Sequence, residues 1–185
     1  MDVNVKPFNK TIMDYLEKDI RRIGRQCFPE IYWETIDTVI KECNIEASIF
    51  AFNNEGKMQG FILITDDPLD MSKTGVYDIS NGYNSPCFQQ GHDPLFEKGP
   101  QRHIEFVAVD PAYSGKGIGG LMMKAALLSC NTTQQDIWLD DNLPKFWLHV
   151  DTDNYHARHL YKKYGFRVWR HQPDDFGYEG DIMIL

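Results

Sequence analysis

The chain has 185 residues, 42% hydrophobic and 25% charged, and these values exclude a disordered or fibrous protein. Its length predicts a single domain over residues 1–185 that buries a core without a disulfide or metal. Nineteen basic and 27 acidic residues give a net charge of −8, which argues against a nucleic-acid partner and favours cationic partners.

The sequence predicts a cytoplasmic protein with no membrane partner. Its longest apolar runs, such as Phe61–Ile64, are too short to cross a bilayer, and the first residues lack the pattern of a secretory signal. The four cysteines include no Cys-x-x-Cys pair and are expected to be reduced. His156 and His159 have the only ligand-like spacing among the histidines and lack a third partner, so no metal site is predicted.

The first part of the chain predicts two amphipathic helices and a hairpin. Apolar residues recur every three or four positions over Thr11–Cys27 and again over Trp33–Cys43. The period then changes to two, and Ala47–Phe52 and Met58–Thr65 predict strands joined by the turn Asn53-Asn54-Glu55-Gly56.

A long loop insertion is predicted over residues 66–100, with at most a short strand at Val76–Ile79. Loops of this length are uncommon in compact domains and are often functional. The segment is therefore expected to be a lid or a flap on the substrate side, or else a decoration without a role.

The remaining sequence alternates between strand and helix patterns. The predicted elements are a strand at His103–Val109, a helix at about Gly117–Cys130, a strand at Phe146–Val150, a helix that Thr152 or Asp153 caps and Gly165 ends, and strands at Phe166–Trp169 and Asp181–Leu185. The continuous apolar end of His103–Val109 is typical of a strand buried on both faces. The order predicts an α/β protein (α+β mixed sheet) with a parallel pair near its centre.

A glycine-rich run, Ser114-Gly115-Lys116-Gly117-Ile118-Gly119-Gly120, lies between a predicted strand and a predicted helix. Glycines allow the backbone to turn its N–H groups inward, and the positive end of the helix adds to them. Lys116 supplies a point charge, so the run predicts a phosphate or diphosphate site.

The same run also fits Gly-x-Gly-x-x-Gly through Gly115, Gly117 and Gly120, which keeps a dinucleotide-binding oxidoreductase as an alternative. Two features oppose that alternative. The glycines begin several residues beyond the predicted strand, and too few residues follow Gly120 for the remaining strand–helix units of that fold.

Two stretches resemble the GNAT superfamily of N-acetyltransferases. Residues 106–119 (FVAVDPAYSGKGIG) are similar to its acetyl-CoA-binding motif, Gln/Arg-x-x-Gly-x-Gly/Ala. Residues 154–166 (NYHARHLYKKYGF) are similar to the motif that follows it, and together the two cover about 103–170. Ser114 stands where the motif has Gln or Arg, and a serine donates only one hydrogen bond to a phosphate.

The resemblance implies a GNAT-like central sheet, flanked by helices, in which two parallel strands splay apart, here Glu105–Val109 and Phe146–Val150. Acetyl-CoA would lie in that opening, with pantetheine paired to the strand and its diphosphate on the glycines. The cofactor-binding residues that the resemblance implies are Val107, Ala108, Val109, Ser114, Gly115, Lys116, Gly117, Ile118, Gly119, Gly120, Asn154 and Tyr161.

The resemblance also implies direct acetyl transfer from acetyl-CoA to a primary amine of a small molecule or peptide in a ternary complex. Tyr161 matches the position of the superfamily's usual acid, which protonates the leaving thiolate, although a core aromatic residue is the alternative. A backbone N–H near Val109 would stabilise the oxyanion. Glu105 is the first candidate for the base and His103 the second, while many relatives use water chains and a salt bridge to Lys or Arg would also explain Glu105.

The acceptor is expected to be an amine, in particular a cationic one. Its candidate walls are the 66–100 loop, with Tyr77, Tyr83, Phe88 and Phe96, and the acidic turn at Asp174-Asp175. The chain is expected to be a monomer or homodimer. A non-catalytic acyl-CoA-binding sensor on the same scaffold is the alternative function.

Overall fold

A computed structural model of the chain describes residues 10–67, 69, 102–129, 146–174 and 176–185. Its helices and strands, in chain order, are α1 (Lys10–Cys27), α2 (Trp33–Glu42), β1 (Ile49–Phe52), β2 (Met58–Thr65), β3 (Arg102–Val109), α3 (Ile118–Ser129), β4 (Phe146–Asp151), α4 (Tyr155–Lys163), β5 (Arg167–His171) and β6 (Gly180–Ile184). The predicted strand at Val76–Ile79 and nearly all of the 66–100 loop lie outside the described residues. No helix in the described ranges is both long enough and apolar enough for a membrane span.

The strands form one six-stranded sheet in the order β1-β2-β3-β4-β6-β5. All neighbouring strands are antiparallel except β3 and β4, which are parallel. The predicted mixed sheet with a central parallel pair is therefore confirmed. The hairpin of β1 and β2 is also confirmed, and its turn contains Gly56 at φ +78°, a left-handed conformation that favours glycine.

Helices cover both faces of the sheet. On one face, α1 and α2 pack on the sheet through the α1–α2 cluster, which includes Leu16, Ile20, Ile23, Ile36, Val39, Ile40, Phe61, Leu63, Phe106 and Ala108. On the other face lies the α3–α4 cluster, which includes Ile62, Ile64, Ile104, Ile118, Met122, Ala126, Phe146, Leu148, Val150, Tyr161 and Phe166. The alternation of β2 residues between the two clusters is the period of two that its sequence predicts.

A β-bulge at Glu105 interrupts this regularity on β3. Leu63 of β2 pairs with Phe106, and the next residue, Ile64, pairs with Ile104, so Glu105 is the extra residue. The bulge changes which face each side chain takes: Ile104 packs in the α3–α4 cluster, whereas Phe106 packs in the α1–α2 cluster. A bulge bends and twists its strand, and β3 changes course at this point.

The two parallel strands separate beside the bulge. β3 pairs with β4 only at Arg102 with Phe146 and at His103 with Trp147, while β4 continues to pair with β6 as far as Asp151. The predicted splay is present, but it starts later on β4 than predicted because Phe146 and Trp147 are still paired. Beyond these pairs the strands leave an opening, here called the β3–β4 gap.

Because of the gap, the burial of β3 differs from the prediction. Val107 and Val109 are only half-buried, although the apolar run predicted burial on both faces. The prediction was wrong because it assumed a neighbouring strand along the whole length of β3. The divergence of β4 removes that neighbour from the second half of the strand.

The predicted cap of α4 was also wrong. Asn154, rather than Thr152 or Asp153, caps the helix, since its Oδ1 accepts a hydrogen bond from the Ala157 N–H at 3.1 Å. The Thr152 N–H and hydroxyl instead donate to the carbonyl oxygen of Glu179, at 2.9 and 3.2 Å. The predicted end of α4 is confirmed, with Gly165 at φ +95°.

Candidate active site

The register of β2 and β3 determines which main-chain groups face the gap. The Asp110 N–H donates to the Gln59 carbonyl oxygen at 2.9 Å, so every second residue back along β3 is bonded to β2. The N–H and C=O groups of Val107 and the N–H of Val109 therefore point away from β2, toward the space that β4 has left. The Val109 carbonyl oxygen accepts a hydrogen bond from the Cys27 thiol of α1 at 3.3 Å. The main chain of Ala108 points toward β2, so its own backbone groups do not face the gap.

Asp110 anchors the chain where it leaves β3. Its buried carboxylate accepts hydrogen bonds from the Ala112 N–H at 2.9 Å and from Arg22 Nη1 of α1 at 2.7 Å. Burial raises the pKa of this carboxyl, but Arg22 and the Ala112 N–H outweigh burial and lower the pKa below its usual value. A charged carboxylate thus fixes the start of the glycine loop to α1.

The glycine loop has the backbone that an anion site needs. Gly115 and Gly117 adopt left-handed conformations, at φ +74° and +78°, and α3 begins directly after them at Ile118. The first N–H groups of a helix have no acceptor within it, and they carry the positive end of its dipole. Lys116 is exposed beside them, and its Nζ lies 4.9 Å from the centre of the Tyr113 ring.

The two motif stretches contact each other at the start of α3. The Tyr164 hydroxyl, at the end of α4, donates to the Gly120 carbonyl oxygen at 2.6 Å. A Cβ atom on Gly120 would lie 3.2 Å from that hydroxyl oxygen, and one on Gly119 would lie 3.5 Å from Leu160 Cδ2. The glycines therefore allow α4 to pack closely on the helix end that borders the candidate diphosphate site.

Tyr161 lies on the same face, on the buried side of α4. Its side chain belongs to the α3–α4 cluster, together with Leu148 and Val150 of β4, and Val107 and Val109 of β3 pack against that cluster. Burial raises the pKa of its phenol, so the hydroxyl stays protonated at neutral pH. Among the residues that the structure describes, none forms a hydrogen bond with the Tyr161 hydroxyl.

Two further predicted cofactor contacts, Ser114 and Asn154, are exposed. Ser114 follows the short 3-10 turn Pro111–Tyr113 and directly precedes the left-handed Gly115. The Oδ1 atom of Asn154 is engaged in capping α4, which leaves its Nδ2 group as the available donor. Each residue therefore offers one short polar side-chain group as a hydrogen-bond donor.

Glu105 and His103 project on the opposite face, as the period of two predicts. His103 Nδ1 lies 2.9 Å from Glu105 Oε1, and the Thr65 hydroxyl donates to the same oxygen at 3.1 Å. The His103 ring is stacked on Trp147 of β4, with ring centres 3.6 Å apart and planes within 2°. In the described part of the chain, the basic side chain nearest to Glu105 is this histidine, and no ion pair with a lysine or arginine is found.

An acidic cleft opens beside Glu105. It has a volume of about 420 Å³ and is lined by Glu42, Asn44, Thr65, Asp66, Asp67 and Glu105. Four of these six residues carry carboxylates, and Arg102 lies 3.4 Å from one of them, Asp66. The cleft thus favours a cationic group close to the bulge in β3.

The α1–α2 connection contacts the β5–β6 connection. The Tyr32 hydroxyl donates to Asp174 Oδ2 at 2.5 Å, and its ring packs edge-on against Phe176 at 5.0 Å. Burial, together with the Asp174 carboxylate, raises the pKa of Tyr32. The sequence identified Asp174 as a candidate wall but not Tyr32, because no local pattern joins residues so far apart.

His149 is a functional candidate that the sequence reasoning missed. On β4 it alternates with Leu148 and Val150, which face the α3–α4 cluster, so its ring faces the acceptor side. Its Nε2 lies 2.7 Å from the Gln172 carbonyl oxygen, which can only accept, so Nε2 carries the proton and Nδ1 is the basic nitrogen of the neutral ring. The alternation in FWLHVD is the signal that could have identified it.

Comparisons with known proteins agree with this geometry. Residues 17–166 match the family model described as the acetyltransferase (GNAT) family. The crystal structure of Ard1 from Thermoplasma volcanium is 19% identical, and the match covers 100% of this chain and 97% of that chain with a TM-score of 0.64. No curated protein sequence matches the chain.

Two other similar structures have named activities or ligands. The ribosomal-protein-S18-alanine N-acetyltransferase from Escherichia coli is 17% identical, and the match covers 100% of this chain and 93% of that chain with a TM-score of 0.57. The crystal structure of Arabidopsis thaliana NAA60 in complex with acetyl-CoA is 15% identical, and the match covers 100% of this chain and 99% of that chain with a TM-score of 0.56. At these identities the likeness establishes the fold.

Proposed function

The chain belongs to the acetyltransferase (GNAT) family, and from this premise we propose that it transfers the acetyl group of acetyl-CoA to a primary amine of a small molecule or peptide. The observation that carries the proposal is the β3–β4 gap. Its β3 edge presents the main-chain groups of Val107 and Val109, and it leads to the glycine loop. An amide-rich arm can pair with such an edge as an added strand does.

Main-chain groups hold most of the cofactor in this proposal. Val107 and Val109 pair with the pantetheine amides, and the N–H groups of residues 115–120 receive the diphosphate. Lys116 adds charge at the loop, and Asn154 Nδ2 donates to pantetheine from the start of α4. Ser114 contributes one hydroxyl, so the loop relies on its backbone more than on side chains.

The reaction proceeds in a ternary complex by direct attack on the thioester. Glu105 accepts a proton from the acceptor ammonium, and the free amine nitrogen then forms a bond to the thioester carbon. A backbone N–H near Val109 stabilises the resulting oxyanion. When the carbon–sulfur bond breaks, Tyr161 donates its proton to the thiolate. The second proton lost from the attacking nitrogen then restores the Tyr161 phenol, and the products are the amide and free CoA thiol.

A second candidate for the proton acceptor is His149. Its Nδ1 is the unprotonated nitrogen of the neutral ring, because Nε2 donates to the Gln172 carbonyl oxygen. His149 lies on β4 with its ring against Gly180 of β6, whereas Glu105 lies on β3. Separate Glu105→Gln and His149→Ala variants distinguish the two. Loss of the residue that accepts the proton should lower kcat most at low pH, where the substrate amine is protonated.

The acceptor in this proposal carries positive charge in addition to the reacting amine. Glu42, Asp66 and Asp67 line the cleft beside Glu105, and a second cationic group would bind there. Peptides with a free N-terminus belong among the candidates, since one similar structure is a protein-alanine N-acetyltransferase.

Release of free thiol from acetyl-CoA, measured against a panel of polyamines, aminoglycosides, amino acids and peptides, tests the proposal. We expect turnover with at least one cationic amine and its loss in Tyr161→Phe. If acetyl-CoA raises the melting temperature while no amine supports turnover, the protein is an acyl-CoA sensor. A rise with NAD(P)H but not with acetyl-CoA would instead favour the dinucleotide alternative.

A further inference from the structure

We propose that His103 Nδ1 and the carboxylates of Glu105 and Asp67 form a binding site for a divalent transition-metal ion such as Zn²⁺. The ligand atoms of these three side chains all lie within 4.8 Å of one another. The test of this site is separate from that of the proposed acetyl transfer, because metal binding is measured directly on the protein. The site shares Glu105 with the proposed reaction, so an ion bound there would keep that carboxylate from acting as the base.

The contact between His103 and Glu105 has the geometry of two neighbouring metal ligands. Nδ1 and Oε1 are 2.9 Å apart, yet the buried Nδ1 has no hydrogen-bond partner among the described residues, so Oε1 lies off the direction of a ring N–H. Two donors that each lie about 2.1 Å from one ion, at about 90–110° to each other, are separated by about 3.0–3.4 Å. The observed separation is close to the short end of this range, so small side-chain rotations would let both atoms bind one ion.

The surrounding contacts preorganise the site. The His103 ring is stacked on Trp147, which fixes its plane, and the indole N–H of Trp147 donates to the Asp67 carbonyl oxygen at 2.7 Å. Thr65 donates to Glu105 Oε1 and so orients that carboxylate. One tryptophan therefore positions two of the three ligand residues, as groups around metal ligands commonly do.

The donor set selects the class of ion. Imidazole together with carboxylates suits Zn²⁺ and its transition-metal neighbours, whereas Mg²⁺ and Ca²⁺ favour oxygen ligands alone. Three protein ligands leave a fourth tetrahedral position for water. Asp67 is exposed, so an ion can enter from the acidic cleft.

Zinc titration of the full, metal-stripped chain tests the proposal, with calorimetry for stoichiometry and Co²⁺ absorption for the ligand type. We expect one Zn²⁺ per chain, with no competition from Mg²⁺ in tenfold excess over Zn²⁺. Asp67→Asn alters an exposed side chain and should weaken binding about 10-fold or more. His103→Ala should do the same and remove the imidazole signature from the Co²⁺ spectrum.

A double variant, His156→Ala with His159→Ala, serves as the matched control because it removes two exposed histidines of α4. It should bind Zn²⁺ as the wild type does. The proposal is overturned if this control loses the ion, or if Asp67→Asn and His103→Ala, each with a wild-type circular-dichroism spectrum, still bind it with unchanged affinity. Failure of acetyl transfer would not affect these outcomes.

Discussion

The two faces of the sheet meet at the β3–β4 gap, but one presents mainly main-chain groups there and the other presents side chains. On the α3–α4 face, the candidate cofactor site is mostly main chain, and most of it comes from the run between Val107 and Gly120. On the α1–α2 face, the candidate acceptor site consists of side chains from four separate parts of the chain, such as Tyr32, Glu105, His149 and Asp174. The candidate cofactor site therefore depends mainly on local sequence, whereas the candidate acceptor site depends on the tertiary fold.

The largest expected effect tests the acid on the cofactor face. Tyr161→Phe should lower kcat for thiol release by about 10³-fold, because the leaving thiolate loses its proton donor. The affinity for acetyl-CoA and the melting temperature should stay close to those of the wild type. A variant that retains full kcat would assign Tyr161 to the core alone.

The proposed base, Glu105, should give the next effect. Glu105→Gln should lower kcat by about 10²-fold at neutral pH, with partial recovery at higher pH where more of the acceptor amine is already deprotonated. Glu42→Gln is the matched control, since it removes a carboxylate from the same cleft. That control should raise KM for a cationic acceptor and leave the shape of the pH profile unchanged.

Gly117→Val tests the main-chain site. Gly117 has φ +78°, which a β-branched residue avoids, so the loop should rearrange and the Kd for acetyl-CoA should rise about 10-fold or more. Gly56→Val is the control, because Gly56 has the same φ in the hairpin turn and is equally free of neighbours within 4 Å. Both variants should lose stability, but only Gly117→Val should lose affinity.

Tyr164→Phe tests the contact between α3 and α4. It removes the hydrogen bond to the Gly120 carbonyl oxygen and should lower the free energy of unfolding by about 1 kcal/mol in urea. Tyr155→Phe alters a tyrosine that is 74% exposed and should leave that free energy unchanged. Equal effects from the two substitutions would show that the hydroxyl of Tyr164 does not hold the helices together.

The smallest expected effect is on stability and depends on pH. Hydrogen bonds to Asp181 and then to Glu179 raise the pKa of His171 above its usual value of 6.5. A raised pKa means that the stabilisation is fully present below about pH 6.5 and is lost as the pH rises through the folded-state value. His171→Gln should therefore lower the melting temperature at pH 5.5 and leave it unchanged at pH 9; a loss that is equal at both pH values would contradict this.

The sequence predicted the cofactor face better than the acceptor face for a physical reason. Glycine turns, strand periods and the end of α4 at Gly165 are local properties, so the sequence predicts them without the fold. The bulge at Glu105 was not predicted, because it depends on how β2 pairs with β3 across an intervening segment. The same holds for the contact between Tyr32 and Asp174, which are brought together only by the fold.

The cap of α4 shows how a tertiary contact overrides a local preference. Thr152 and Asp153 are good capping residues by type, yet Thr152 is held by the Glu179 carbonyl oxygen and the helix begins one step later, with Asn154 as its cap. His149 was missed for a different reason. The alternation of its strand is visible in the sequence, but the sequence does not show which face of β4 lies on the acceptor side.

A crystal structure of the protein with CoA bound tests the central claim most directly. We expect pantetheine between β3 and β4, with its amides bonded to the main chain of Val107 and Val109, and the diphosphate against the N–H groups of residues 115–120. Density for CoA elsewhere, with β3 and β4 closed upon each other, would contradict the claim.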